Sequence, residues 1–135
     1  RVKRNFENIY ASKDGIIESI DVSSGNVMVK VNDYVKKGDL LVSNTVTSTS
    51  GVDKIIETQG VIKAYTYIDY EASIDKNKFD DGEAFSYLLY SIRCKLGIID
   101  KIDRENVLDY GIIGNKRVLK MQYVLIEDIA SKKEN

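Results

Sequence analysis

The chain has 135 residues, 43% of them apolar, which suits one or two small folded units and is too apolar for a disordered chain. Its formal net charge is -1, which does not indicate a nucleic-acid-binding surface, and its basic clusters (Arg1, Lys3, Arg4 and Lys132, Lys133) lie at the two ends, where solvated side chains are expected. It contains no histidine and one cysteine, so a His-based zinc site, a Ser-His or Cys-His nucleophile and an internal disulfide are excluded.

The first third of the chain predicts short strands closed by turns. Residues 16–22 and 27–31 alternate between apolar and polar positions, and Gly25 lies in the Ser-Ser-Gly-Asn turn between them. Gly38 ends a second turn before the short buried strand at 40–42. The stretch 44–51, rich in Ser and Thr, predicts a loop or an exposed hairpin tip.

The segment after this loop repeats the first in shortened form. Gly60 aligns with Gly15, and Val61-Ile62 aligns with Ile16-Ile17. The repeat predicts two half-motifs, residues 9–43 and 55–74, that pair into one flattened sandwich of short strands. We expect Gly15, Gly25, Gly38 and Gly60 to be its structural turn glycines.

The last third has a different character. After a polar linker, apolar residues at helical spacing predict an amphipathic helix over 83–95, with Asp80 and Asp81 at its start and Gly97 at its end. Cys94 in this pattern is interpreted as a small core residue. Two strands are predicted at 98–110 and 117–127, with a hairpin turn at Gly114-Asn115.

Several of these motifs resemble the biotinyl/lipoyl and membrane-fusion-protein superfamily. The similarity rests on Gly15-Ile16-Ile17 and on the run Val35-Lys36-Lys37-Gly38-Asp39-Leu40-Leu41. It implies a mainly β chain with a lipoyl-like barrel-sandwich hybrid over residues 9–74. Separately, the order of elements along the chain predicts a small α+β unit of one helix and a C-terminal β-hairpin, residues 1–8 with 83–129. If residues 1–8 complete the sheet of that unit, the barrel is an insertion within it.

A closer resemblance is to the YqfD family of stage IV sporulation proteins. It is carried by residues 8–15, 38–43 and 60–67 and by the tail at 125–130. The family pattern has a proline where this chain has Phe6-Glu7, and a longer segment before the final helix. The resemblance implies a membrane-anchored parent protein, with this piece on the extracytoplasmic face of a bacterial membrane, in the space between the membranes around the forespore.

The resemblance to lipoyl domains suggests the hypothesis that this chain carries a covalently bound cofactor, because such domains modify one lysine at the tip of a hairpin. Asp53-Lys54 is similar to the lipoyl motif, but it lies behind the Ser/Thr loop and too close to Gly60. No Met-Lys-Met motif for biotin is present. We therefore expect no cofactor.

Enzymatic and metal sites are not indicated. The carboxylate pairs, Asp80-Asp81 and Glu127-Asp128, are each sequential, and nothing places two of them across a cleft. Asp33 and Asp39 flank two lysines and lack the EF-hand spacing, so we expect them to hydrogen-bond within their own turns.

An interaction module remains. Tyr65, Tyr67 and Tyr70 form a candidate interaction surface, and the alternative, slightly favoured, is that Tyr65 and Tyr67 only cover the open face of the sandwich. The loop at 44–51 is a second candidate contact. The sequence therefore favours a non-enzymatic scaffold or assembly domain of a sporulation membrane protein. It would bind other membrane or sporulation proteins or itself, and no nucleic acid. The alternative is a membrane-fusion or adaptor-like component of a transport or secretion assembly, which a ring-forming oligomer would favour.

Overall fold

The computed structural model describes residues 4–97 and 101–131. It is mainly β, with 57% of it in strands and one helix, α1 (Asp81–Leu96), in the described part, which confirms the predicted fold class. The lipoyl-like detail of that prediction stays a prediction. The strands, in chain order, are β1 (Ile9–Ala11), β2 (Gly15–Ser24), β3 (Asn26–Val27), β4 (Tyr34–Val35), β5 (Leu40–Ser43), β6 (Thr45–Thr47), β7 (Asp53–Ile55), β8 (Gln59–Asp75), β9 (Ile102–Ile113), β10 (Lys116–Asp128) and β11 (Ala130–Ser131).

The chain divides into two compact units. The first contains the residues up to Thr66 and those from Ile126 onward, and the second is Tyr67–Leu125. These boundaries differ from the predicted ones, 9–74 for the barrel and 1–8 with 83–129 for the α+β unit. Both divisions fall inside strands, because β8 and β10 each continue without a break, and an unbroken alternating pattern gives no composition signal at such a point.

The first unit contains short strands from two sheets. One sheet has the order β11–β1–β5–β3, and the other contributes β4, β2 and the first part of β8. Apolar side chains from both are buried together, and Ile129 from the C-terminal segment joins them. The fully or almost fully buried members are Ile9, Ala11, Ile17, Val35, Leu41, Val42, Ile62, Ala64 and Ile129.

The internal repeat is visible in how β2 and β8 pair. They run antiparallel, and the aligned residues Ile17 and Ile62 are both fully buried. Gly15 lies at the start of β2 and Gly60 near the start of β8, so they are at opposite ends of the pair, and both are strand residues. A Cβ at Gly15 would lie 2.6 Å from the Tyr65 carbonyl oxygen, so a close backbone approach explains the glycine there.

The other two glycines of the predicted set lie in turns with positive φ, +121° at Gly25 and +93° at Gly38. Asp39 accepts a hydrogen bond from the Lys36 backbone N–H at 2.9 Å, and Asp33 accepts one from the Lys30 N–H at 2.9 Å. The expectation that these aspartates hydrogen-bond their own turns is confirmed. The strand predicted at 27–31 is shorter than expected: β3 ends at Val27, and the hydrogen bond between Lys30 and Asp33 turns the chain after it.

The second unit packs one helix on strands. Helix α1 begins after Asp80, whose side chain accepts a hydrogen bond from the Glu83 N–H, and ends at Gly97, which has a φ of +63°. The predicted cap and stop residues are thus confirmed, and the helix starts two residues earlier than predicted. Its buried face is Ala84, Leu88, Ile92 and Leu96, packed with Leu119, Met121, Tyr123 and Leu125 of β10. Cys94, expected in the core, is exposed because it lies off this face.

The C-terminal hairpin pairs β9 with β10, and the turn at Gly114-Asn115 lies where it was predicted. The predicted start of the first strand at Ile98 lies outside the described residues. In the described part of the chain, no helix is long and apolar enough to cross a membrane.

Candidate functional site: the β6–β7 hairpin

The stretch predicted as a loop or hairpin tip is a two-stranded hairpin. Strand β6 pairs antiparallel with β7, and no third strand joins this sheet in the described ranges. The tip is a tight turn in which the Gly51 N–H donates to the Ser48 carbonyl at 2.9 Å and Gly51 has a φ of +85°. Only glycine adopts that conformation at low cost, which is why a Ser-Thr-Ser-Gly sequence can close the turn. We call residues 45–55 the hairpin arm.

The hairpin arm exposes apolar side chains. Val52 is 65% exposed and Ile55 58% exposed, and Val46 is also open to solvent. The register pairs Val46 with Lys54, so these two share one face. Thr45 pairs with Ile55, which puts the isoleucine on the other face. Each face of the arm therefore carries at least one exposed apolar side chain.

The base of the hairpin arm is held by a network around Asn44. The Asn44 backbone N–H donates to Asn8 Oδ1 at 2.7 Å, and Asn44 Nδ2 donates to the Phe6 carbonyl at 2.7 Å. In the segment that follows β7, the buried Thr58 hydroxyl donates to the Glu7 carbonyl at 2.6 Å and accepts from Asn5 Nδ2 at 2.8 Å. The N-terminal residues 5–8 are thus fixed against both ends of the arm in the first unit. The arm projects from an anchored base.

Lys54, the residue considered for a carrier function, lies within β7, opposite Val46. It is not part of the tip, which is formed by the five residues 48–52 between β6 and β7. Its neighbour Asp53 accepts a hydrogen bond from the Thr47 hydroxyl at 2.8 Å across the arm. Adjacent strand residues point to opposite faces, so the two charges of Asp53 and Lys54 are displayed on different sides of the arm.

The three tyrosines of the predicted interaction surface all lie on β8. Odd-numbered Tyr65 and Tyr67 are on one face of this strand, and Tyr67 is 52% exposed. Tyr70 is on the other face, where it packs against the core of the second unit. The alternation of the strand thus separates Tyr70 from the other two.

A tyrosine of the second unit has a strongly raised pKa. Burial, followed by the neighbouring Glu105 carboxylate, raises the pKa of Tyr123 to about 12. Arg93 forms a bidentate pair with Glu105, at 2.8 and 2.6 Å, and this hydrogen bonding lowers the pKa of Glu105. Arg93, Glu105 and Arg104 line a cavity of about 310 Å³. Because Arg93 and Glu105 already form hydrogen bonds with each other, we interpret the pair as a structural contact that links α1 to β9.

Metal ligation has no candidate in the described ranges, which contain no cluster of three or more carboxylates or cysteines that could hold an ion. The exposed side chains of the hairpin arm were not singled out from the sequence. The signal was present, because Thr-Val-Thr and Val-Asp-Lys-Ile flank a short Gly-containing turn, which is the pattern of a hairpin.

The family model described as "Putative stage IV sporulation protein YqfD" matches residues 1–81. The match covers the whole hairpin arm, its anchored base and the paired strands β2 and β8, and 81 of the 135 residues is more than half of the chain. No curated protein and no solved structure matches it.

Proposed function

The chain belongs to the YqfD family of stage IV sporulation proteins, and from this membership we propose that it is an assembly domain, without enzymatic activity, that docks through its hairpin arm. The observation that carries the proposal is the arm itself: an exposed two-stranded ribbon on an anchored base. A two-stranded ribbon alone is marginally stable in water, and added strands or packing stabilise it. A partner that pairs with an edge of the arm would supply both.

The exposed side chains give docking an energetic basis. Full burial of a Val or Ile side chain contributes roughly 1.5–3 kcal/mol. Because Val52 and Ile55 are 65% and 58% exposed, burial of their open surface could together contribute about 2–4 kcal/mol before the ordering costs of association are subtracted. That range fits a specific contact of moderate strength, made by one element on an otherwise independent unit.

We also propose that the parent protein is anchored in a membrane and holds this domain on the extracytoplasmic side, in the space around the forespore. Cys94 provides a test because it is exposed and free. In cells that produce the parent protein before the forespore is enclosed, the extracytoplasmic side of the membrane faces the medium. A membrane-impermeant maleimide should then label the parent protein in intact cells, and the C94S variant should lose that label. Labelling only after cell lysis would contradict the proposed side.

The functional test is the heat-resistant spore count of a strain that lacks the parent gene. Complementation with the natural sequence should restore the count, and complementation with the combined V46S, V52S and I55S variant should not. The matched control is I112S, because Ile112 is exposed to a similar degree on the second unit. Equal counts for the arm variant and the control would refute docking through the arm.

The alternative, an adaptor-like component of a transport or secretion assembly, rests on the position of the arm between the two predicted half-motifs. Adaptors of the superfamily that the sequence resembles have their helical hairpin at this connection. Here the connection is a short β-hairpin, so any adaptor-like assembly would have to be built through strand pairing. A closed ring in solution would favour this alternative over a scaffold that binds unrelated proteins.

A further inference from the structure

A second unpaired feature lies in the second unit, at the edge of β8. The pairing of β8 with β2 ends at Tyr65, and β10 lies on its other side. Within the described strands, the outer edge of β8 from Tyr67 to Asp75 therefore has no partner. An unpaired strand edge presents N–H and C=O groups that an added strand can bind.

Helix α1 forms one wall of a groove along this edge. The groove has a volume of about 350 Å³ and is lined by Glu71 and Ser73 of β8 and by Tyr87, Ser91 and Lys95 of α1. We call it the edge groove. Its floor is closed by residues of the apolar core, so it is a shallow channel whose one side is strand backbone and whose other side is a helix.

The charges of the edge groove are arranged on two sides. Even-numbered residues of this part of β8, such as Ala72, point toward the core under α1, so Glu71 lies on the face away from the helix. Lys95 is on the helix itself. Both are exposed, and neither forms an ion pair with another residue that the structure describes. A strand laid in the groove would meet positive charge on its helix side and negative charge on its other side.

We propose that the occupant of the edge groove is strand β7 of a second copy of this chain, added along the free edge of β8. Strand β7 reads Asp-Lys-Ile, and its charges alternate between faces. With Asp53 toward the helix, its carboxylate meets Lys95, and Lys54 on the opposite face meets Glu71. Ile55, on the same face as Asp53, is then directed toward the half-exposed Tyr87 ring.

This inference rests on the proposed function and names the partner that the hairpin arm binds. The contact is heterologous, because the arm of one copy enters the groove of the next and leaves its own groove open. It adds the two strands of the arm to the sheet of the second unit, which gives the arm the neighbouring strand that it lacks. Assembly would therefore proceed head to tail.

The first test is charge reversal with the 135-residue chain in sedimentation velocity across a concentration series at low salt. D53K with K54E, and separately E71K with K95E, place like charges together, which should weaken self-association by about ten-fold or more. All four residues are exposed, and the one side-chain hydrogen bond that D53K removes, from the Thr47 hydroxyl, is exposed too, so the variants should melt close to the natural chain. The chain with all four substitutions should regain the natural association.

A mixture provides the second test. Each double variant alone is mismatched, but the reversed arm of one fits the reversed groove of the other, and the two natural surfaces also fit. Mixing the two variants should restore the large species, and only a heterologous contact between these two surfaces predicts that result. I55S should weaken association and I112S should not, because Ile112 lies outside both surfaces.

The outcomes separate this inference from the proposed function. A natural chain that stays monomeric at all accessible concentrations, or reversals without mutual rescue, would overturn the self-association. If the arm variants then still lost heat-resistant spores, the arm would bind a different protein and the proposed function would stand. If arm variants sporulated normally, the proposed function would fail even where the purified chain associates.

Discussion

The packing of β2 against β8 makes Gly60 a position where one methyl group should be strongly destabilising. A Cβ built there lies 2.6 Å from Val22 Cα, 2.8 Å from Val22 Cγ2 and 2.9 Å from the Asp21 carbonyl oxygen. Two of the three are backbone atoms of a paired strand, so neither can rotate away. Relief requires β2 and β8 to separate, and Ile62, two residues further along β8, is fully buried in the core.

Overpacking of this kind costs about 1–3 kcal/mol, and the backbone contacts place G60A at the upper end, about 3 kcal/mol. For a chain of this size that corresponds to a decrease in melting temperature of about 10 °C. The measurement is thermal unfolding followed by circular dichroism, with urea unfolding to obtain the free energy.

The matched control is G111A, because the added Cβ at Gly111 of β9 meets no atom within 4 Å. That variant should be neutral or slightly stabilising, since alanine loses less backbone entropy than glycine on folding. If G60A and G111A melted within a degree or two of each other, the close approach of β2 and β8 at this end would be wrong.

Three further predictions concern the second unit. The hydroxyl of Tyr123 is buried without a well-formed hydrogen bond to a described residue, and its pKa is raised to about 12 from an ordinary value near 10. Because the pKa is raised in the folded state, the stability contribution is fully present below pH 10 and is lost as pH rises toward 12, by up to about 3 kcal/mol. Y123F should remove this alkaline loss without lowering stability at pH 7, and a loss of equal size in both proteins would contradict it. L88A should lower the free energy of unfolding in urea by about 2–5 kcal/mol, because Leu88 is on the buried face of α1. Y90A, on the exposed side of the same helix, should change it by less than about 0.5 kcal/mol. D80A should lower the melting temperature at neutral pH, because the Asp80 carboxylate caps α1; the pKa of Asp80 is lowered chiefly by the Glu83 backbone N–H, so this contribution is present above its ordinary pKa and lost as pH falls, and the two melting curves should converge in acid.

Elements whose signals are local could be predicted from the sequence. The helix was given by its apolar spacing together with Asp80 and Gly97, and the hairpin turn by Gly114-Asn115, because caps and turns depend on a few adjacent residues. The repeat of Gly15 and Gly60 was also visible, and both residues sit where strand backbones approach closely. The predicted reason was different, since a turn and a close approach both require glycine and the sequence alone does not distinguish them.

The division into units could not be predicted in the same way. Residues 62–74 of β8 alternate without interruption, so no local signal marks Thr66 as the end of the first unit. Tyr65 and Tyr67 were grouped with Tyr70 without regard to the alternation of side chains along a strand, which places the even-numbered Tyr70 on the opposite face. The edge groove could not be predicted from the sequence either. It depends on where β2 stops pairing with β8, and that register is set by contacts between residues far apart in the chain.

The geometry of the proposed contact also bears on the choice between a scaffold and an adaptor-like role. A heterologous contact either closes into a ring or continues as an open chain, depending on the rotation between successive copies. Each copy would use one arm and one groove, so a ring leaves neither exposed, whereas a chain always leaves one arm and one groove free at its ends. The free ends of a chain could recruit further copies or end at a different protein, as a scaffold requires. A ring of fixed size would instead enclose a defined opening, which is the property that an adaptor of a transport assembly needs. The mass of the associated species therefore distinguishes the two roles. A single discrete mass would favour the adaptor-like role, and a mass that increases with concentration would favour the scaffold.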